Sequence, residues 1–189
     1  MTSNLDSRAL PAASATSTGR RAFAIAIGAL VVALAAQVRV PLPFTPVPVT
    51  LQDLAVLTVG GLLGPAAGLA ALVTYLGLGI AGLPVFAGGG FGLAWLLGPT
   101  GGYLLAFPVA ACVAGALAAR AGFARTLLGA LLGMVIIHAG GVAQLALLNG
   151  DVTAAFRLGS LPFLPVSLLK VGLAAALVTG ISPKLSKLP

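Results

Sequence analysis

The sequence predicts an all-α integral membrane protein: six transmembrane helices in a single bundle, with both termini cytoplasmic. Three observations carry this expectation. Of 189 residues, 59% are hydrophobic and only 7% charged, and mean hydropathy is +1.14, whereas about a quarter of a soluble chain is charged. The apolar residues fall into runs long enough to cross a bilayer. The basic residues gather on one side of the topology that those runs define. Such a composition excludes a water-facing surface over most of the molecule, and it excludes disorder outside the termini.

Residues 1–20, MTSNLDSRALPAASATSTGR, are rich in Ser, Thr and Ala and have no apolar period, so they read as a mobile tail. A cleaved signal is the competing reading, because Arg20 and Arg21 precede an apolar run ending in Ala33-Leu34-Ala35. The tail is long, however, and a run of about 18 residues can span a membrane. Residues 21–189 then form one transmembrane domain. Further apolar stretches cover 51–81, 100–119, 126–148 and 164–182, and all but the first have the length of one crossing.

The stretch 51–81 is broken at Gly60, Gly61, Gly64 and Pro65, as one bent helix or two short helices joined by a tight turn would be. Charge counting separates these. Two crossings make six helices and place Arg8, Arg20, Arg21, Arg120, Arg125, Lys184 and Lys187 on one side against Arg39 and Arg157, seven against two. One crossing makes five helices and splits the same residues four against five, with no bias. The positive-inside rule favours six. Residues 39–50, 82–99 and 149–163 are then outer loops. They carry Pro41, Pro43, Pro46, Pro48, Pro84 and Pro99 and the run Ala87-Gly88-Gly89-Gly90, which predicts defined irregular backbone. At membrane depth such backbone must be buried in protein or line a cavity, and a capped outer pocket supplies that environment.

Lys170 sits inside the last apolar stretch, where insertion scales assign Lys up to about 2.5–3.5 kcal/mol. It either snorkels to the headgroups or lines an outward-facing site for an anionic or carbonyl-bearing ligand, since no acid lies within a turn or two. Gln52 and Asp53 open the second helix after Thr50. A carboxylate there reads as a helix cap, which leaves Gln52 to present an amide. Gly98-Pro-Thr-Gly-Gly-Tyr103 starts another helix with exposed N–H groups, an arrangement that holds ligand oxygens or merely begins a helix. Tyr75, Phe86, Phe91, Trp95 and Tyr103 read as an interfacial belt, or in part as pocket walls. His138, beside Gly140 and Gly141, reads as a hydrogen-bonded structural residue. Ala22, Ala26, Ala29 and Ala33 form a small-residue face on the first helix on which another helix can pack.

Several functions are excluded. The chain has no Glu, only Asp6, Asp53 and Asp151, one His and one Cys, Cys112, so an acid–base pair or a nucleophilic set has little to draw on. The single Cys also excludes an internal disulfide and a Cys/His metal site. No phosphate-binding loop occurs, so ATP hydrolysis by that route would belong to partners. Despite a net charge of +7, the basic residues form no cluster that would grip nucleic acid.

Three segments together resemble the BioY family, the biotin-capturing S components of energy-coupling-factor transporters. They are Pro41-Leu-Pro-Phe-Thr-Pro-Val-Pro-Val-Thr-Leu-Gln52, Gly82-Leu-Pro-Val-Phe-Ala87 and Gly98-Pro-Thr-Gly-Gly-Tyr-Leu104. The resemblance runs through residues 22–182. It implies a six-helix S-component-type bundle in the inner (plasma) membrane of a bacterium, with biotin held near the outer surface and no cofactor or metal. The ligand residues it implies are Thr50, Gln52, Phe86, Gly88, Gly89, Thr100, Gly101, Tyr103, Ser167 and Lys170. The family's Pro-Gly-Asp-x-x-Lys pattern reads Pro165-Val-Ser-Leu-Leu-Lys170 here, which puts Ser167 in the place of an Asp. A neutral hydrogen bond of about 1 kcal/mol then replaces a charge-assisted one of about 1.5–3. An Asn frequent in the family is likewise replaced within Ala87-Gly88-Gly89. An Ala-x-x-x-Ala patch, matched by Ala29 and Ala33, is expected to dock on a transmembrane coupling subunit that works with two ATPase subunits. A solitary transporter or homo-oligomer without ATPases, and an S component for another carboxylate-bearing vitamin, are the alternatives.

Overall fold

A computed structural model of the chain describes residues 13–118 and 122–185. Residues 1–12 of the expected tail, together with Arg8, Arg120 and Lys187, lie outside the described residues. Helix α1 runs Ala13–Gln37, so 13–20, expected as tail, are its first two turns. Extending an established helix is cheap and Ala is the best helix former, so polar neighbours do not stop it.

After α1 the chain makes the antiparallel strands β1 (Arg39–Val40) and β2 (Val49–Thr50), in register Arg39↔Thr50 and Val40↔Val49. This ribbon is a small departure from the all-α expectation. The four prolines of the loop fall between the two strands, where no ladder N–H is needed. Helices α2 (Gln52–Leu63) and α3 (Pro65–Ile80) follow. They are two helices and not one bent one, because Gly64 takes φ +80° and Pro65 opens α3, where its missing N–H costs nothing.

Residues 82–99 hold the expected irregular backbone, with positive φ at Gly82, Gly88, Gly89 and Gly92, a 3-10 turn at Ala87–Gly89 and the short helix α4 (Leu93–Leu96). Helices α5 (Gly101–Ala118) and α6 (Phe123–Asn149) come next. The third expected loop is largely helical: α7 spans Val152–Gly159, with the Asp151 carboxylate accepting from the N–H groups of Thr153 and Ala154 at 2.7 and 3.1 Å. A 3-10 turn at Leu161–Phe163 leads into α8 (Leu164–Leu185).

Among the described residues, four helical segments are long and apolar enough to cross a membrane: Thr18–Gln37, Gly101–Ala118, Phe123–Asn149 and Val152–Ser182. α2 and α3 are apolar but shorter, 12 and 16 residues. At 1.5 Å per residue they measure about 18 and 24 Å, less than a hydrocarbon core of about 30 Å. The outward faces are apolar too, with Phe23, Ile27, Leu30 and Leu34 exposed on α1 and Leu168 and Leu169 on α8, as befits helices whose surroundings are as apolar as their core.

Glycines set the helix spacings in the interior. A Cβ at Gly60 of α2 would collide with the Ala111 carbonyl of α5, and one at Gly102 of α5 with the Gly140 carbonyl of α6. Close backbone approach of this kind replaces the hydrophobic drive that lipid cannot provide. Around these crossings Val56, Leu57, Leu72, Tyr75 and Phe86 are fully buried.

Candidate ligand-binding site

One cavity opens where the start of α2, the start of α5, the middle of α6 and the start of α8 converge. It is lined by Val47, Pro48, Val49, Thr50, Gln52, Asp53, Ala87, Trp95, Thr100, Tyr103, Leu104, Phe107, Ile137, His138, Phe163, Ser167 and Lys170. It holds about 630 Å³ of atom-free space counting its mouth, of which about 70 Å³ is wide enough for the centre of a water molecule. This is a narrow slot with mostly apolar walls and a few convergent polar groups, the usual make-up of a small-molecule site.

The polar floor comes from α8 and α2. Ser167 and Lys170 are three residues apart, so they share one face of α8; both are buried, at 3% and 5% exposure. Lys170 Nζ donates to Asp53 Oδ1 and Oδ2 at 2.8 and 2.9 Å and to the Thr50 carbonyl at 2.6 Å. One sequence expectation, the helix cap at Asp53, is corrected here. Lys170 has an acid partner on another helix, and Asp53 turns both oxygens to that ammonium instead of capping α2, whose first N–H, that of Gln52, donates to Thr50 Oγ1 at 3.3 Å. The partner lies 117 positions away along the chain, so nothing near Lys170 announces it. A Lys in an apolar span needs a counter-charge more than a helix N-terminus needs a cap.

Ser167 Oγ meets His138 Nε2 at 2.9 Å, while His138 Nδ1 is buried with no hydrogen-bond partner among the described residues. The imidazole is therefore hydrogen-bonded, as expected, but it also forms part of the cavity wall. Gln52 Nε2 donates to the Tyr75 hydroxyl at 2.6 Å, and that hydroxyl donates to the Val85 carbonyl at 3.2 Å. This chain of bonds ties α2 to α3 and to the 82–99 segment. Tyr103 Oη donates to the Gly159 carbonyl at 2.5 Å, linking α5 to α7. Gln144 Nε2 donates to the carbonyls of Leu96 and Gly98 at 2.8 and 2.6 Å and holds the entry into α5.

Thr50, Gln52, Thr100, Tyr103, Ser167 and Lys170 are thus brought together around the cavity, and Phe86, Gly88, Gly89 and Gly101 are not. Phe86 is fully buried and meets the Tyr75 ring edge-on at 5.5 Å. Gly88 and Gly89 lie just beyond the lining residue Ala87; the Gly89 N–H donates to Gln37 Oε1 at 3.2 Å, and Gln37 Nε2 donates to the Phe86 carbonyl at 3.2 Å. Gly101 lies against the Leu96 carbonyl and Gln144. The aromatic belt is mostly absorbed inward: Trp95 and Tyr103 line the cavity, Tyr75 and Phe86 are in the core, and Phe91 stays 57% exposed. On α1, Ala29 is buried and Ala33 half-buried, whereas Ala22 and Ala26 are exposed. The lining residues that sequence reasoning did not assign to ligand include Asp53 and His138 as well as Phe107, Ile137 and Phe163, which look like any other apolar helix residue.

Comparison with known proteins bears on this geometry. The BioY family profile matches residues 8–187. A Pyrococcus horikoshii protein named "Probable biotin transporter BioY" is 38% identical over 155 residues, which cover 82% of this chain and 93% of the relative. "Biotin transporter BioY" of Thermotoga maritima is 41% identical over 137 residues, covering 72% and 81% of the two chains. Among solved structures, the crystal structure of the S-component for biotin from an ECF-type ABC transporter superposes with a TM-score of 0.81 at 26% identity, covering 92% of this chain and 94% of that one.

Proposed function

The chain belongs to the BioY family, and from that membership we propose that it serves biotin uptake as the membrane substrate-binding (S) component, capturing biotin on the outer side and delivering it inward with an energy-coupling module. It is a transporter component and not an enzyme. The observation that carries the ligand assignment is the slot itself: apolar walls from Phe107, Ile137, Phe163 and Trp95 close over a floor of Ser167, His138, Gln52 and the Lys170–Asp53 pair. Biotin has an apolar acyl chain, a fused ring system and a ureido group with donors and an acceptor, which are the complements of those walls and that floor. Thr50, Gln52, Thr100, Tyr103, Ser167 and Lys170 are the contacts this reading assigns to biotin.

In this reading the bundle crosses the inner membrane of the cell six times, with α2 and α3 as a short pair and both termini inside, in keeping with the seven-to-two distribution of basic residues. The sequence holds no phosphate-binding loop, so transport energy comes from two partner ATPases acting through a transmembrane coupling subunit. The exposed stripe of α1, with Ala22, Ala26, Phe23 and Ile27, supports docking on that subunit better than the inward-turned Ala29 and Ala33. The test is labelled-biotin uptake by cells that neither make nor import biotin. Uptake that needs the coupling subunit and ATPases beside this chain is the expected result. Uptake by the chain alone would favour a solitary transporter, and no uptake in either case would overturn the proposal.

A further inference from the structure

A second cavity abuts the first, and Pro48, Ala87, Trp95 and Thr100 line both. What the second adds is a cation, Arg39. The register of the β1–β2 ribbon pairs Arg39 with Thr50, and directly paired residues project to the same side of a ribbon. Thr50 belongs to the first cavity and supplies the carbonyl that holds Lys170. The two cavities and the two cations are thus joined through one residue pair.

The charges on these cations are not equally available. Lys170 Nζ already has three acceptors, Thr50 O and both oxygens of Asp53, all within 2.9 Å. An ammonium has three N–H bonds to give, and a further carboxylate brought to it would lie beside the Asp53 carboxylate, where like charges repel. Arg39 is different. Among the described residues the acids are Asp53 and Asp151, of which the first pairs with Lys170 and the second caps α7. The Arg39 guanidinium is left with no carboxylate.

Its position is defined by the turn beneath it. Gly88 has φ +68°, and a Cβ there would lie 2.5 Å from Arg39 Cζ, so the absence of a side chain lets the guanidinium rest on the 87–89 turn. Beside it stands Trp95, whose indole Nε1 is buried with no hydrogen-bond partner among the described residues. A buried donor left unmade is a cost that an acceptor oxygen removes.

We propose that the Arg39 cavity is the subsite for the ligand's carboxylate: the guanidinium receives it, Trp95 forms the wall between the two cavities, and the ureido end lies inward against Ser167, His138 and the Lys170–Asp53 pair. This rests on the biotin reading and assigns the two ends of the molecule. It makes Lys170 part of a neutral pair that orders the floor, and it makes Arg39 the residue that distinguishes a free acid from its neutral derivatives.

The test is titration of the full-length, detergent-purified protein with biotin and with biotinamide, its neutral primary amide, for wild type, Arg39→Gln and Arg39→Lys. Wild type should favour biotin over biotinamide roughly tenfold to a hundredfold, the scale of a charge-assisted bond. Arg39→Gln should lose that preference by weakening biotin alone, and Arg39→Lys should keep part of it. If Arg39→Gln weakens both ligands equally, or retains the wild-type preference, the subsite is overturned. If wild type binds neither ligand, the biotin reading itself fails, and this assignment fails with it.

Discussion

Replacing Asp53 with Ala would leave the Lys170 ammonium without its counter-ion. The side chains of Lys170 and Asp53 keep only 6% and 16% of their exposure, and their contact is 2.8 Å. Removing one partner of a buried pair costs about 3–5 kcal/mol, because the surviving charge stays desolvated. Asp53 keeps some contact with solvent and the Thr50 carbonyl still accepts from Nζ at 2.6 Å, so the low end, about 3 kcal/mol, applies. For a chain of this size that amounts to roughly 10 °C of melting temperature. The pair as a whole is worth far less than this, since replacing both charges by apolar side chains is often neutral. Thermal unfolding of detergent-purified protein should therefore show Asp53→Ala strongly destabilised and Asp53→Leu with Lys170→Leu recovering most of the loss, although the double variant loses part of the ligand floor. A single variant as stable as wild type, or a double variant no better than the single, would refute the reasoning.

Other consequences are local. Gly60→Ala puts a methyl group into the Ala111 backbone and should lower stability by about 1–3 kcal/mol, whereas Gly77→Ala, with nothing within 4 Å of the new carbon, should melt at or slightly above wild type. Ser167→Ala removes the partner of His138 Nε2 and leaves both ring nitrogens unpaired; a loss of about 1–3 kcal/mol should appear in melting together with weaker biotin binding. Gln37→Leu deletes the bonds from its side chain to the Val85 and Phe86 carbonyls and from the Gly89 N–H, so hydrogen–deuterium exchange should rise at residues 85–89 and stay unchanged in α5 and α6.

The elements readable from the sequence were those fixed by local chemistry. Gly64-Pro65 separates α2 from α3 because only Gly takes φ +80° freely and only Pro begins a helix without an N–H. Ser167 and Lys170 share a helix face by spacing alone. α7 is the local exception. Gly150 in the left-handed region followed by Asp151 accepting from Thr153 is a helix stop followed by a helix cap, a signal present in the sequence and outweighed by the expectation of a loop. The remainder was nonlocal. The Lys170–Asp53 pair joins α8 to α2, and the seat of Phe86 against Tyr75 and Gly79 depends on how α3 meets the 82–92 segment. The inward turn of Ala29 follows from α1 packing on α2 and α3, which no run of alanines reveals.

The most direct measurement is calorimetric titration of biotin into the purified protein in biotin-free buffer, with Lys170→Ala beside it. Saturable one-to-one binding by wild type, abolished or strongly weakened in a Lys170→Ala variant that still runs as a folded species, is the result this account predicts. No binding by well-folded wild type, or unchanged binding by Lys170→Ala, would contradict it.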